Sequence, residues 1–147
     1  MLSMHAIYLF TFLCVFPASS VYAQTPDFAA LAAQAEKINP NKNPSAVIAI
    51  LEPHINHPEN KNVDYICNLA LAYKKVGRLN ESIQLGKRAL GIAPDAFALH
   101  YNIAVAYFNA GRFIESCEHF RKSKELNPKH SGVNDWMKYM EKYHKCK

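Results

Sequence analysis

The sequence has 147 residues, a formal net charge of +5 and 50% hydrophobic residues. This length provides one hydrophobic core and excludes two independent domains. It contains no nucleophile elbow, phosphate-binding glycine loop or zinc-protease motif, and its carboxylates are scattered rather than paired for acid–base chemistry. We therefore predict a single-domain protein that is not an enzyme and needs no metal or cofactor.

The N-terminal segment, residues 1–23, predicts an export signal. It contains no Asp, Glu, Lys or Arg, and an apolar run extends from Ala6 to Phe16. Pro17 breaks the run and the small residue Ala23 ends the segment, which is the pattern of a secretory signal peptide cleaved after Ala23. The run is too short for an ordinary membrane span. An uncleaved N-terminal anchor is the alternative, and the residues before Cys14 do not resemble the lipobox of a lipoprotein.

The next two predicted helices cover residues 25–38 and 45–57, joined by a loop rich in Asn and Pro. Apolar residues recur at helical spacing in both segments. Thr25 or Asp27 should cap the first helix, and Pro53 should bend or end the second.

The segment 63–130 consists of two units with matching residues at a fixed interval. Gly77 and Gly111 are separated by this interval, and so are several further pairs. These pairs are Ala70 and Ala104, Tyr73 and Tyr107, Asn68 and Asn102, Arg78 and Arg112, Ser82 and Ser116, and Pro94 and Pro128. A period of about 34 residues is that of a helix–turn–helix unit stacked into a solenoid. In each unit the glycine should end the first helix in a left-handed conformation, and the proline should stop the second helix.

After the repeats, the segment 131–147 predicts a capping helix. Its apolar side is formed by Val133, Trp136, Met137, Met140 and Tyr143. The end of a solenoid must be covered by a helix with one polar face. We expect Trp136 to pack against Phe120 rather than to be exposed for binding, because aromatic side chains bury large areas where a partner face exists.

The two units resemble the tetratricopeptide repeat. The second unit supplies the family pattern with His100, Ile103, Ala104, Tyr107, Gly111, Phe113, Ser116, Phe120, Ser123 and Pro128. The first supplies Ile66, Leu69, Ala70, Tyr73, Gly77, Leu79, Ser82, Gly86, Ala89 and Pro94. Gly86 is the main departure, since the family has an aromatic residue there and a glycine inside a helix costs about 1 kcal/mol relative to Ala.

The resemblance implies an all-α fold, a short superhelical solenoid of antiparallel helix pairs with a C-terminal capping helix. We interpret residues 25–58 as a degenerate first repeat, followed by repeats at 63–96 and 97–130 and by the cap at 131–147. The whole domain would then cover residues 24–147.

In the family, ligands lie along a concave face formed by the first helix of each unit. The resemblance assigns to this face Asp64, Cys67, Leu71, Lys74 and Lys75, then Ala98, Tyr101, Val105, Phe108 and Asn109. The Lys and Asn with which chaperone-binding members hold a terminal carboxylate are replaced by apolar residues, a tyrosine and a cysteine. The mixed apolar, aromatic and basic face is typical of a site for an extended peptide or an amphipathic helix. The alternative is that the N-terminal helix or a neighbouring subunit covers these residues.

Positive charge is concentrated in the second half of the chain. Residues 24–73 carry three Lys and five acidic residues, a net charge of −2, whereas residues 74–147 carry fourteen Lys or Arg and seven acidic residues, a net charge of +7. Such a surface can contact an acidic protein, an anionic membrane or nucleic acid. No nucleic-acid-binding motif accompanies it, so we predict no nucleic-acid partner. Ordinary solvation of outer helix faces also explains the charge, and a weak membrane contact remains an alternative.

Export would leave three cysteines, Cys67, Cys117 and Cys146. At 1.5 Å per residue, Cys117 lies about 18 Å along its helix from the turn before the cap, and Cys146 lies about 22 Å along the returning helix. A disulfide between them would join the cap to the last repeat in an oxidising compartment and leave Cys67 unpaired. The alternatives are free thiols, or a zinc site with His119 and His144, which the opposite orientations of Cys117 and His119 on one helix disfavour.

These observations predict an exported protein-interaction module, periplasmic or secreted, that acts as an adaptor in an envelope assembly by binding a peptide or helix of a partner. The alternative is a membrane-tethered scaffold, held by an uncleaved N-terminal segment, whose basic C-terminal half faces lipid or acidic partners.

Overall fold

The computed structural model describes residues 25–146, and the predicted signal segment lies outside the described residues. The helices are α1 (Phe28–Ile38), α2 (Pro44–Leu51), α3 (Val63–Lys75), α4 (Leu79–Ile92), α5 (Phe97–Asn109), α6 (Phe113–Leu126) and α7 (Ser131–His144). A 3-10 turn at Glu52–His54 follows α2. The described part of the chain contains no strand, so the all-α prediction is confirmed.

Among the described residues, no helix has the length and apolarity needed to cross a membrane.

Local sequence features explain where the first helices begin and end. The side chain of Asp27 caps α1 by accepting a hydrogen bond from the backbone N–H of Ala30 at 2.9 Å. Pro44 stands in the first turn of α2, where a missing N–H has no cost. Pro53 lies in the 3-10 turn that replaces α2 after Leu51, as expected of a proline that ends a helix.

The two repeat glycines act as predicted. Gly77 and Gly111 follow α3 and α5 with φ angles of 81° and 72°, in the left-handed region where a side chain is strained. Each glycine therefore ends one helix and lets the chain reverse into the next.

The helices stack as three successive pairs, α1–α2, α3–α4 and α5–α6, and α7 packs on α6. Within each repeat the same hydrogen bond joins the pair. The Ser82 hydroxyl donates to the carbonyl of Ala70 at 2.7 Å, and the Ser116 hydroxyl donates to the carbonyl of Ala104 at 2.9 Å. Small residues at these four positions let the paired backbones approach closely.

Between the repeats, α4 meets α5 at a point where no side chain fits. A Cβ atom built on Gly86 would lie 2.4 Å from Cγ1 of Ile103, a buried residue. The departure of Gly86 from the family pattern therefore has a local cause, because Ile103 of α5 occupies the space that a side chain would need.

The first pair is held against α3 by polar contacts as well as by apolar packing. The Tyr65 hydroxyl donates to the carbonyl of Leu51. The Asn68 side-chain amide donates to the carbonyl of Ala32 at 3.2 Å. These bonds fix α1–α2 on the repeat at 63–96, although the sequence of α1–α2 departs from the repeat pattern.

The capping helix α7 covers the end of the stack. Val133, Met137 and Met140 are buried, and the Trp136 ring stacks on Phe120 with centroids 5.1 Å apart, as predicted. The placement of Tyr143 on the packed side was wrong, since this residue is 57% exposed. The neighbouring His144 packs in its place, with its ring 3.9 Å from that of Phe113.

Candidate functional site

An open groove crosses the first helices of both repeats, α3 and α5. Its apolar wall consists of Leu71, Tyr101, Val105 and Trp136. Its polar lining consists of Asn41, Lys74, Lys75, Asn102 and Asn109. Six of these residues were assigned to the concave face from the sequence, and the structure brings them together. They are Leu71, Lys74, Lys75, Tyr101, Val105 and Asn109.

Three other predicted residues lie beside this groove rather than in its lining. Cys67 lines a narrow recess next to the groove, together with Leu71 and Lys74. Burial, with a smaller contribution from Asp64, raises the pKa of the Cys67 thiol to about 11, so it is not a reactive thiolate. Asp64 and Ala98 are exposed near the starts of α3 and α5.

Phe108, which the family pattern also assigned to the peptide-binding face, lies outside the lining of this groove. Its ring packs edge-on against Trp136 with centroids 4.8 Å apart, and it also contacts Phe113 and Tyr139 at 5.5 and 5.8 Å. It therefore belongs to the aromatic cluster beneath α7. Phe108 and Trp136 also line a separate open recess together with Tyr139 of α7.

Sequence reasoning missed three residues of the groove, Asn41, Asn102 and Trp136. Asn41 comes from the α1–α2 loop, and nothing in the repeat pattern marks it. Asn102 could have been found, because it occupies in the second repeat the position that Asn68 occupies in the first. Trp136 does pack on Phe120 as expected, but its remaining exposed part forms one end of the groove.

Lys74 is the most unusual group in the groove. Burial lowers the pKa of its amine to about 8, with a smaller contribution from the neighbouring charge of Lys75. Its Nζ atom donates a long hydrogen bond of 3.4 Å to Oδ1 of Asn102. The ion pairs found within residues 25–146 do not involve Lys74 or Lys75, and none of the residues lining the groove is acidic.

Comparison with known proteins assigns the central part of the chain. Residues 63–96 and 97–130 each match a family model for the tetratricopeptide repeat. Residues 63–130 are therefore similar to two consecutive tetratricopeptide repeats. Repeats of this family are protein-interaction modules and are generally non-catalytic, and this is the class of function that they indicate here.

Solved structures resemble the chain in fold. The Sgt2 tetratricopeptide domain from Aspergillus fumigatus aligns with a TM-score of 0.71 and 16% identity, over 82% of this chain and 81% of that one. An O-GlcNAc transferase mutant from Thermobaculum terrenum aligns with a TM-score of 0.68 and 17% identity, over 78% of this chain but only 22% of that protein. No curated protein matches the sequence significantly. At these identities the similarity shows the fold alone.

A histidine pair joins α5 and α6, the two helices of the repeat at 97–130. Nδ1 of His100 and Nδ1 of His119 are 3.1 Å apart, and Nε2 of His100 lies 2.9 Å from the carbonyl oxygen of Pro94. Because a carbonyl oxygen only accepts, Nε2 of His100 carries a proton, and in the neutral form of His100 its Nδ1 then accepts from Nδ1 of His119. Burial, then the charges of His100 and Lys87, lower the pKa of His119 to about 4. His119 is therefore neutral in this contact at physiological pH.

We expect this pair to make the second repeat less stable in mild acid. In the unfolded chain His119 takes up a proton near its ordinary pKa of 6.5, whereas the folded protein resists protonation down to about pH 4. The stabilisation is therefore complete above about pH 6.5 and is lost as the pH falls towards 4. Since the ring is partly exposed, solvent screening reduces the effect, and we expect a loss of about 1 kcal/mol between pH 7.5 and 5.

Denaturant unfolding at the two pH values measures this loss. His119→Gln keeps a hydrogen-bond donor for His100 but cannot be protonated, so its free energy of unfolding should fall less over the same interval. Equal pH dependence of the two proteins would contradict the assignment.

The structure joins Cys117 and Cys146 as a disulfide between α6 and the segment after α7, with Cα atoms 5.7 Å apart. Cys67 is unpaired. The two histidines of the alternative zinc site make other contacts: His119 faces His100, and His144 stacks on Phe113. Across residues 25–146, no three His, Cys, Asp or Glu side chains converge to hold a metal ion.

Proposed function

We propose that the protein is an exported interaction module that holds a peptide segment of a partner in the groove across α3 and α5, as an adaptor in an envelope assembly. The arrangement of the groove carries this proposal. The apolar wall and the lysine and asparagine side chains line one surface that is open to solvent. An extended peptide or a short amphipathic helix can place apolar side chains on such a wall while its polar groups meet the amides.

Export is supported by two independent features. Residues 1–23 have the pattern of a cleaved secretory signal, and the structure pairs two cysteines, an arrangement that persists in oxidising compartments. Intact mass of the protein isolated from its native cells tests the proposal. Loss of the segment 1–23, with cleavage after Ala23, is the expected result. A mature protein that retains this segment would favour the membrane-tethered scaffold.

The groove is tested by removing its apolar wall without disturbing the core. Leu71→Ser combined with Val105→Ser should reduce recovery of partner proteins from the envelope fraction at least ~10-fold, because both side chains are partly exposed in the groove. Ile114→Ser is the matched control, since Ile114 is 76% exposed on α6, outside the groove lining. Circular dichroism should show the same helical content for the wild type and both variants. Equal recovery with the double variant and the control would place the binding site elsewhere.

A further inference from the structure

The amine of Lys74 lies partly buried in the groove without a counter-ion. Its contact with Oδ1 of Asn102 is long, at 3.4 Å, and an amide oxygen does not neutralise an ammonium group. The adjacent charge of Lys75 repels it. Burial of a charged group without an opposite charge is unfavourable, so the protein maintains this position at a cost.

Within residues 25–146, Lys74 forms no ion pair with an acidic residue. Polar residues of the groove other than the two lysines are Asn41, Asn102 and Asn109, and no carboxylate lines it. The ion pairs of the described residues involve Arg78, Arg112 and Lys122 instead. The groove therefore has a net positive charge and a half-buried cation that a bound carboxylate could neutralise.

The contrast with the corresponding contact one repeat later strengthens this point. The positions one repeat after Lys74 and Asn102 are Phe108 and Trp136, and these two rings pack against each other at 4.8 Å. At the second position the contact is between two aromatic rings and involves no charged group. At the first position, Lys74 and Asn102 line the open groove, and the Lys74 amine has no carboxylate partner in the groove lining.

Resting on the proposed function, we propose that the groove recognises a partner segment carrying an internal Asp or Glu side chain next to apolar residues, with its carboxylate bound by Lys74. The lining extends from Asn41 in the α1–α2 loop to Trp136 of the cap, so Lys74 lies between the two ends of the groove. A segment that crosses it continues past Lys74 in both directions. The carboxylate accepts a charge-assisted hydrogen bond from the Lys74 amine, while flanking side chains pack on Leu71, Val105 and Trp136.

A displayed library of random peptides, each held between two linkers so that neither terminus is free, tests this inference on the mature protein. Selected peptides should be enriched in an acidic residue beside aliphatic or aromatic residues. The same selection on Lys74→Gln should retain the apolar preference and lose the acidic one. Lys138→Gln is the control, because Lys138 is exposed on α7, outside the groove lining.

The best peptide then gives a second test, in which the substitution is made in the ligand. Replacing its acidic residue by the corresponding amide should weaken binding to the wild-type protein roughly 10-fold, which is the effect of one charge-assisted hydrogen bond. The Lys74→Gln variant should bind the acidic peptide and its amide version equally well. Peptides without acidic enrichment, or enrichment that persists in Lys74→Gln, would overturn the inference while leaving a peptide groove intact. Selected peptides that bind equally well to the Leu71→Ser, Val105→Ser variant would instead refute the groove itself.

Discussion

Reduction of the Cys117–Cys146 bridge is expected to lower the free energy of unfolding by about 3–4 kcal/mol. The bridged cysteines are 29 residues apart in sequence, and the loop they close contains the rest of α6 and all of α7. Closing a loop of this size removes conformations from the unfolded chain, which is the main source of the stabilisation. The cap also shields Phe120 and the aromatic cluster around Phe108, so loosening it exposes a large apolar surface.

Denaturant unfolding of the mature protein with and without reductant measures this effect. Cys146→Ser should reproduce the loss in the absence of reductant. Cys67→Ala should still respond to reductant, because its thiol takes no part in the bridge. Thiol titration of the denatured protein from its native compartment provides the direct check. One free thiol agrees with the bridge, and three would show that it does not form there.

Gly86→Ala is expected to destabilise the protein by about 1–3 kcal/mol, although alanine favours helix by about 1 kcal/mol over glycine. The added Cβ would lie 2.4 Å from Cγ1 and 2.9 Å from Cδ1 of Ile103. Ile103 is 2% exposed, so its side chain has little room to move away. The two helices must separate or the isoleucine must leave its preferred rotamer, and either change costs more than the helix propensity gains.

Two further variants isolate this contact. Gly91→Ala, in the same helix, should leave the free energy of unfolding unchanged or raise it by up to ~1 kcal/mol, because a Cβ there meets no atom within 4 Å. Ile103→Ala should destabilise the wild type but partly offset the cost of Gly86→Ala, giving a coupling of at least ~0.5 kcal/mol in a double-mutant cycle. If Gly86→Ala proved as stable as Gly91→Ala, the close approach of α4 and α5 would be wrong.

The fold follows from the sequence because its determinants are local. The regular spacing of Gly77 and Gly111 fixes where two helices end, and small residues such as Ser82 and Ser116 fix which faces pack. These features require no knowledge of distant residues. The same holds for the Asp27 cap, which acts within one turn of its own helix.

The candidate site was less predictable, because the position of a residue within a repeat does not determine which side chains from other elements pack against that residue. Lys74 and Phe108 are equivalent positions of the two repeats, and the family pattern assigned both to the concave face. Their environments differ because Lys74 meets Asn102 whereas Phe108 meets Trp136. Trp136 lies beyond the repeat pattern. Only its position in three dimensions shows that Trp136 packs against Phe108 and also lines the groove that contains Lys74.

The order in which the helices pack has a consequence for how the protein opens. The extensive contacts of each helix are with the next one or two along the chain, as α1 contacts α2 and α3, and α4 contacts α5. In such an arrangement each unit can detach without the whole core being lost. The C-terminal end is held by a covalent link to Cys146, whereas the N-terminal pair is held by packing, hydrogen bonds and the ion pair of Glu52 with Arg78. Fraying should therefore start at α1–α2 and advance towards the cap, which gives the groove one fixed side and one side that opens first.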